Sequence, residues 1–268
     1  MGGVYLSAIK PLSSGARRAE LLGASFDLLT AAETLERISE SIERRARCQH
    51  TVVNVAKLIA MRANPVLRKD VEQSDIINVD GMGIVWGARL IGIQVPERVT
   101  GIDLMDQLIE VCARRGYRPY LLGATRPVLY RLVAVLRTRH PRLSLAGSHH
   151  GYFAEADEER IVAEIAASHA DCLFVALPTP RKEHFIAKHR DALAVPFIMG
   201  VGGSFDVLSG AVPRGPRWMQ KAGLEWLFRV GQEPRRMWKR YLVTNSKFAT
   251  LLAAEMMKRC WRRRGRRY

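Results

Sequence analysis

Asp80 is the residue on which a chemical reading of this sequence converges. It closes an apolar run (Ile76, Ile77, Val79), and Gly81 and Gly83 follow it within NVDGMGIVW. The run reads as a strand, and Met82 to Ile91 then has the apolar spacing of an amphipathic helix. A carboxylate at the carboxyl end of a strand in an open α/β sheet stands where ligands bind, and it suits general-base work. The alternative is structural: Asp80 only caps the helix. Glu97 and Arg98 come back just before a second helix start at Thr100 to Asp103.

Other stretches fall at predicted strand ends in the same way. The strand His50 to Val55 ends at Asn54, and Tyr117 to Leu122 ends in Gly123. Gly200, Gly202 and Gly203 precede Ser204, Phe205 and Asp206, a turn that offers backbone N–H groups to a phosphate. It is not G-x-G-x-x-G, so a dinucleotide fingerprint is weak, and a plain tight turn is the alternative. PTPRKE, residues 178–183, again follows a strand. On spacing alone, Lys182 and Glu183 read as solvated first-turn residues, with ligand contact as the alternative. His149, His150 and Tyr152 share a loop with no third ligand at metal spacing, and no metal site is expected.

The C-terminal segment mixes Trp218, Trp226, Phe228, Trp238 and Tyr241 with cations, as an interfacial helix does. Stacking on single-stranded nucleic acid is a second use of that mixture, and packing of the rings on the body a third. Net charge is +16 over 268 residues. Residues 214–268 hold 16 Lys or Arg against three acids and so carry +13 of it. A nearly neutral body with a basic tail seeks an anionic surface, either lipid headgroups or nucleic acid. The four cysteines lie 60 or more residues apart without a C-x-x-C pair, which argues against a zinc site or disulfide framework. No signal peptide, myristoylation site or membrane-spanning run is expected.

The elements that must hold these residues alternate. Leu21 to Leu29, His50 to Val55, Ile76 to Val79, Tyr117 to Leu122, Leu143 to Ala146, Cys172 to Leu177 and Val195 to Met199 read as strands with helices between them. That predicts an α/β fold with a mostly parallel sheet covered on both faces. Strands stop after Ser209, and two helices, Pro216 to Val230 and Pro234 to Arg259, complete the chain. The expected organisation is a loose lead over 1–20, a catalytic body over 21–210 and a basic amphipathic helical appendage over 211–268.

In order, VVNVAKL, NVDGMGIVW, ERVTGIDL, the GSHHGYF and PTPRKE loops, and GVGGSFDVLSGAVPRGP with QKAGLEWLFRVGQEPRR resemble the WecG/TagA/CpsF family of bacterial glycosyltransferases. The likeness spans roughly Leu22 to Tyr241 and is nearest the branch with the glucuronosyltransferase of xanthan assembly. It implies a Rossmann-like body and an appendage touching the cytoplasmic face of the bacterial inner membrane. It also implies inverting transfer of a sugar from a UDP donor to a polyprenyl-diphosphate-linked saccharide, in making exopolysaccharide or other cell-surface polysaccharide. The UDP-sugar is a substrate; no cofactor, metal or nucleic-acid partner is expected, and an oligomer is compatible.

By the same resemblance Asp80 takes the position of the general base. Asn54 and Arg98 match the donor-sugar pocket, and Tyr152 and Asp206 lie near the nucleotide, with Gly123, Gly202, Gly203, Lys182 and Glu183 as further substrate contacts. Arg214, Arg229, Arg235, Arg236 and Arg240 are expected to meet the lipid diphosphate. Val52 stands where the family usually has Thr, and Lys182 replaces the glutamine of its P-K-Q-E motif. A cation there suits a carboxylate, so UDP-glucuronate is the expected donor and UDP-N-acetylmannosamine the alternative. Two rival classes remain: a nicotinamide-dependent oxidoreductase, disfavoured by the missing glycine fingerprint, and a nucleic-acid-binding module driven by the basic tail.

Overall fold

The computed structural model describes residues 18–232 and 234–264. Strands β1 (Arg18–Leu21) and β2 (Ala24–Asp27) form an antiparallel hairpin, where the sequence suggested one strand over Leu21 to Leu29. Leu22 and Gly23 make the turn, both at positive φ, as tight two-residue hairpins require. Leucine gives no warning of such a turn, and the apolar run hid it.

Next come α1 (Ala31–Glu43), β3 (Cys48–Val53), α2 (Val55–Ala63), α3 (Pro65–Glu72), β4 (Ile76–Val79), α4 (Met82–Leu90) and α5 (Gly101–Arg115). Thr30 and Glu33 close a capping box on α1, and Thr100 caps α5. The chain continues through β5 (Pro119–Gly123), α6 (Arg126–Arg139), β6 (Gly147–His149), a 3-10 turn, α7 (Glu158–Ala167), β7 (Cys172–Ala176), α8 (Arg181–His189), β8 (Phe197–Gly200) and α9 (Ser204–Leu208). Strand β6 lies downstream of the predicted Leu143 to Ala146. Its Gly147 pairs with Tyr120 so closely that a Cβ would lie 2.6 Å from the ring. Packing on that ring, not apolar content, sets the register.

The six strands of the main sheet run in the order β4-β3-β8-β7-β5-β6, and every adjacent pair is parallel. Leu121, Phe174 and Met199 face one layer of core with α1, α5 and α6. Their neighbours Leu122, Val175 and Ile198 face the opposite layer with α7 and α8. The mostly parallel, doubly covered α/β sheet inferred from the sequence is therefore present.

Beyond the sheet lie α10 (Arg217–Lys221), α11 (Glu225–Gln232) and α12 (Pro234–Arg264). Three helices stand where two were expected, because Gly223 at φ 74° breaks the first. A Cβ there would fall 2.1 Å from Met82 Cγ, so the break also lets the backbone approach α4. Phe248 and Leu252 of α12 are buried in one core cluster with Leu58, Ile84, Val85 and Ala88. Helix α12 is thus seated on α2 and α4. No helix among the described residues is long and apolar enough to cross a membrane.

Gly87 makes this seat possible: a Cβ on it would lie 2.7 Å from Phe248 Cζ. Overpacking of this kind costs about 1–3 kcal/mol. Gly87→Leu is therefore expected to loosen α12 and raise trypsin cleavage within 235–264 by roughly an order of magnitude. Cleavage at the wild-type rate would mean that this contact does not hold the helix.

Candidate active site

Because the strands are parallel, every loop singled out by the sequence leaves the same edge of the sheet. Asp80 follows β4, Asn54 follows β3, the 200–203 turn follows β8, and PTPRKE follows β7. Gly123 ends β5, and the 149–152 loop follows β6. Neighbouring β5 and β7 send their chains in opposite directions, to β6 and to β8. Such a switch point opens the crevice where open α/β sheets take ligands.

Asp80, Asn54 and Arg98 line one cavity of about 460 Å³. The Asp80 amide donates to Val53 O at 2.9 Å, which ties it to the end of β3. Gly81, at φ 128°, is the N-cap of α4, so Asp80 is not its cap. Asn54 does cap α2, accepting from Lys57 N at 2.9 Å; its side-chain oxygen is engaged and its NH2 group is what remains for a ligand. The Val99 amide donates to Val79 O at 3.0 Å, pinning the loop that carries Arg98 beside β4. Arg98 Nη2 donates to Gln220 O at 2.9 Å, so it joins this edge to α10. Trp226, Tyr241, Asn245 and Phe248 complete the wall. The cavity is therefore shared between the sheet edge and the C-terminal helices.

Lys182 and Glu183 are 5% and 3% exposed, which corrects the solvated reading. Both sit in the first turn of α8, facing inward under the 200–203 turn. The Lys182 stem lies against Gly200, where a Cβ would meet Cε at 2.8 Å. Glu183 Oε1 accepts from Lys57 Nζ at 2.9 Å, Lys182 Nζ at 3.2 Å and Thr179 Oγ1 at 3.1 Å. Burial pulls the Lys182 ammonium down, aided by Lys57, and Glu183 only partly restores it, leaving it at about 8. Burial pushes Glu183 up, but the two ammonium charges outweigh that and hold it at about 2. Lys57 was missed by the sequence reading, since nothing local links α2 to a glutamate so distant in the chain.

The far loop is rigidly placed. Gly151 donates to Ala124 O at 2.8 Å, and a Cβ on it would lie 3.0 Å from Gly123 Cα. Arg181 stacks over Phe153 at 4.5 Å and donates to its carbonyl at 2.7 Å. Tyr152, in the loop after β6, is left 74% exposed. Gly123, at φ 132°, has Ala176 O where a Cβ would go. Gly202 takes φ 52°, and half-buried Asp206 has its pKa raised by desolvation.

Of the arginines expected at the lipid diphosphate, Arg214 pairs with Asp103 at 2.8 Å and Glu225 at 3.2 Å. Burial pushes Asp103 up, but hydrogen bonds from Arg214 and Thr100 outweigh it and keep the carboxyl low. This clamp between α5 and α11 was not legible in the sequence. Arg235 is exposed; Arg229, Arg236 and Arg240 lie outside the residues whose side chains are described. Among the described residues no group of three His, Cys, Asp or Glu is placed to hold a metal ion.

The buried cluster has a pH signature. An unfolded glutamate titrates near about 4.3, against about 2 for Glu183 in the fold. Between those values the unfolded chain holds the extra proton, so this stabilisation is present above the window and lost as pH falls through it. Glu183→Gln is expected to be strongly destabilised near neutral pH, since it leaves Lys57 and Lys182 without their counter-charge. Its deficit in unfolding free energy should shrink as pH drops from about 4.3 to about 2. A deficit that stays constant in denaturant titrations across that range would contradict the ion-pair assignment.

Comparison with known proteins fits this geometry. The model of the glycosyl transferase WecG/TagA/CpsF family matches residues 19–262. An N-acetylglucosaminyldiphosphoundecaprenol N-acetyl-beta-D-mannosaminyltransferase of Bacillus subtilis (strain 168) is 35% identical over 186 residues, 69% of this chain and 72% of its own. A protein of the same name from Staphylococcus aureus (strain MW2) is 29% identical over 229 residues, 85% of this chain and 88% of its own. No finding singles out the glucuronosyltransferase branch. With a family match over nearly the whole sequence and a relative 35% identical over more than two thirds of both chains, the chain belongs to the WecG/TagA/CpsF family of glycosyltransferases.

Proposed function

We propose that the chain moves N-acetylmannosamine, with inversion and without a metal, from a UDP donor to a polyprenyl-diphosphate-linked saccharide. The observation that carries this reading is the shared cavity of Asp80, Asn54 and Arg98 at the carboxyl edge of the sheet. The relatives named above transfer N-acetylmannosamine, which supports that donor. The glucuronate expectation rested on Lys182 as a free cation. Lys182 is instead buried against Glu183, with Lys57 on the same oxygen, so the charge meant for a uronate is already partnered within the chain.

Inverting transfer is one displacement. The acceptor hydroxyl attacks the anomeric carbon, the glycosidic bond to the diphosphate breaks, and UDP leaves with the bonding electrons. A carboxylate must take the hydroxyl proton, and Asp80 has that role in this reading. Positive charge and N–H groups must meet the departing diphosphate. The 202–203 turn supplies the N–H groups here, and arginines of the C-terminal helices supply the charge. The nucleotide lies toward Gly123, Tyr152 and Asp206, and the sugar toward Asn54.

The acceptor is lipid-borne, so the enzyme must work at a membrane surface as a peripheral protein. Trp218, Leu227, Trp238 and Leu242 are exposed on α10, α11 and α12, beside the basic residues of the same helices. Each Lys or Arg near an anionic leaflet adds about 1 kcal/mol, and the exposed rings suit headgroup depth. In this reading the product is a lipid-linked oligosaccharide for cell-surface polysaccharide.

Asp80→Asn is expected to lower turnover about 10²–10⁴-fold, the usual worth of a general base, with UDP affinity retained. Wild-type turnover should persist in EDTA. Full activity in Asp80→Asn, or activity lost in EDTA and restored by manganese, would contradict the mechanism. In a donor screen, UDP-N-acetylmannosamine should outrun UDP-glucuronate, and Lys182→Gln should not reverse that order. A reversal would return Lys182 to the role of a uronate-selecting residue.

A further inference from the structure

We propose that the apolar half of the Asp80 cavity, between α4 and α12, receives the isoprenyl chain next to the acceptor's diphosphate. This rests on the acceptor assigned above, and it goes further in giving the sheet-bearing body, not only the C-terminal helices, a direct part in holding lipid.

The cavity is chemically two-ended. Asp80, Asn54 and Arg98 line it together with Trp86, Leu90, Phe248, Ala249 and Leu252. Apolar pockets with a few convergent polar groups take amphiphilic small molecules. Its position matters as much as its lining. Strand β4 is the outermost on its side of the sheet, and α4 follows it, whereas the 202–203 turn and the β5–β7 crevice lie on the other side of Asp80. An in-line displacement needs the nucleophile opposite the leaving group. With the donor diphosphate toward β8, the acceptor enters from the α4 side, where the apolar lining is.

The exposure of α4 agrees. Its Ile84, Val85 and Ala88 are buried, yet Trp86 is 48% and Leu90 60% exposed. Both border the cavity, and Trp226, on α11 across the cavity, is 39% exposed. A wet Trp–Leu pair at the mouth of an apolar cavity is an unexplained cost in water and an asset where a lipid chain passes out. About 460 Å³ accommodates only the first isoprene units, so the rest of the chain leaves past Trp86 and Leu90 into the bilayer. The phosphate end meets Arg98, a cation of the cavity's lining.

Binding tests this without any transfer reaction. Farnesyl diphosphate and inorganic pyrophosphate serve as probes, followed by calorimetry on the full chain. Farnesyl diphosphate is expected to bind at least about tenfold tighter than pyrophosphate, because its chain is removed from water. Ala249 is exposed along the cavity wall, so Ala249→Trp fills the seat at little risk to folding. Leu90→Asp places a charge at the rim. Both should weaken farnesyl diphosphate by about tenfold or more and leave pyrophosphate affinity as it was. The proposal fails if the two probes bind wild type equally, if either variant leaves farnesyl diphosphate affinity unchanged, or if both probes weaken together. Farnesyl binding as expected, in a chain that glycosylates no polyprenyl-linked acceptor, would instead sink the transferase reading and leave the lipid seat standing.

Discussion

All six strands of the main sheet point the same way, and the placement of every chemically competent side chain follows from that. Parallel strands have their carboxyl ends on one edge, and side chains or turns there are held by the sheet's own hydrogen bonds. Asp80 is fixed by the hydrogen bond its backbone N–H donates to Val53 O, and the loop of Arg98 by the one Val99 N–H donates to Val79 O. Neither needs a dedicated framework. The order β4-β3-β8-β7-β5-β6 then lays out a line: Asp80, Asn54, the 202–203 turn, the buried Lys182–Glu183 cluster and the Gly123 crevice end.

The second constraint is electrostatic. The chain is strongly basic, and three of its cations near the site are ion-paired within the fold before any ligand arrives. Lys57 and Lys182 share Glu183, and Arg214 is held by Asp103 and Glu225. Breaking a buried pair by removing one partner costs about 3–5 kcal/mol, so the Lys57–Glu183–Lys182 cluster holds α2 to α8, while the more exposed Arg214 pairs tie α5 to α11. Burial of Phe248 and Leu252 under α12 has a related consequence. The C-terminal helices roof part of the core, so their removal would uncover apolar surface as well as delete cations.

Much of the architecture could be read from local chemistry. Thr30, Asn54, Thr100 and Thr125 cap the helices that follow them, and apolar runs found five strands of the main sheet. The failures have physical causes. The Leu22–Gly23 hairpin uses a leucine at positive φ, which no propensity favours. Strand β6 is set by the fit of Gly147 to the Tyr120 ring, a contact between strands. Asp80, Asn54 and Arg98 could be grouped because strand ends and resemblance both pointed to them. The burial of Lys182 and Glu183 could not, because charged residues in a first helical turn are usually wet and their partner Lys57 lies on a distant helix. Trp86 and Leu90 gave no signal at all: exposure of an apolar residue is decided by what the tertiary fold leaves uncovered.

The most direct test of the central claim, that one carboxylate at the sheet edge faces an edge-bound nucleotide-sugar, is a crystal structure with a non-transferable UDP-sugar analogue. The account predicts the uridine toward Gly123 and Tyr152, the diphosphate on the 202–203 turn, and the anomeric carbon facing Asp80 with room for an acceptor oxygen about 3–3.5 Å away. A nucleotide bound elsewhere, or a sugar turned away from Asp80 with another carboxylate beside its anomeric carbon, would contradict it.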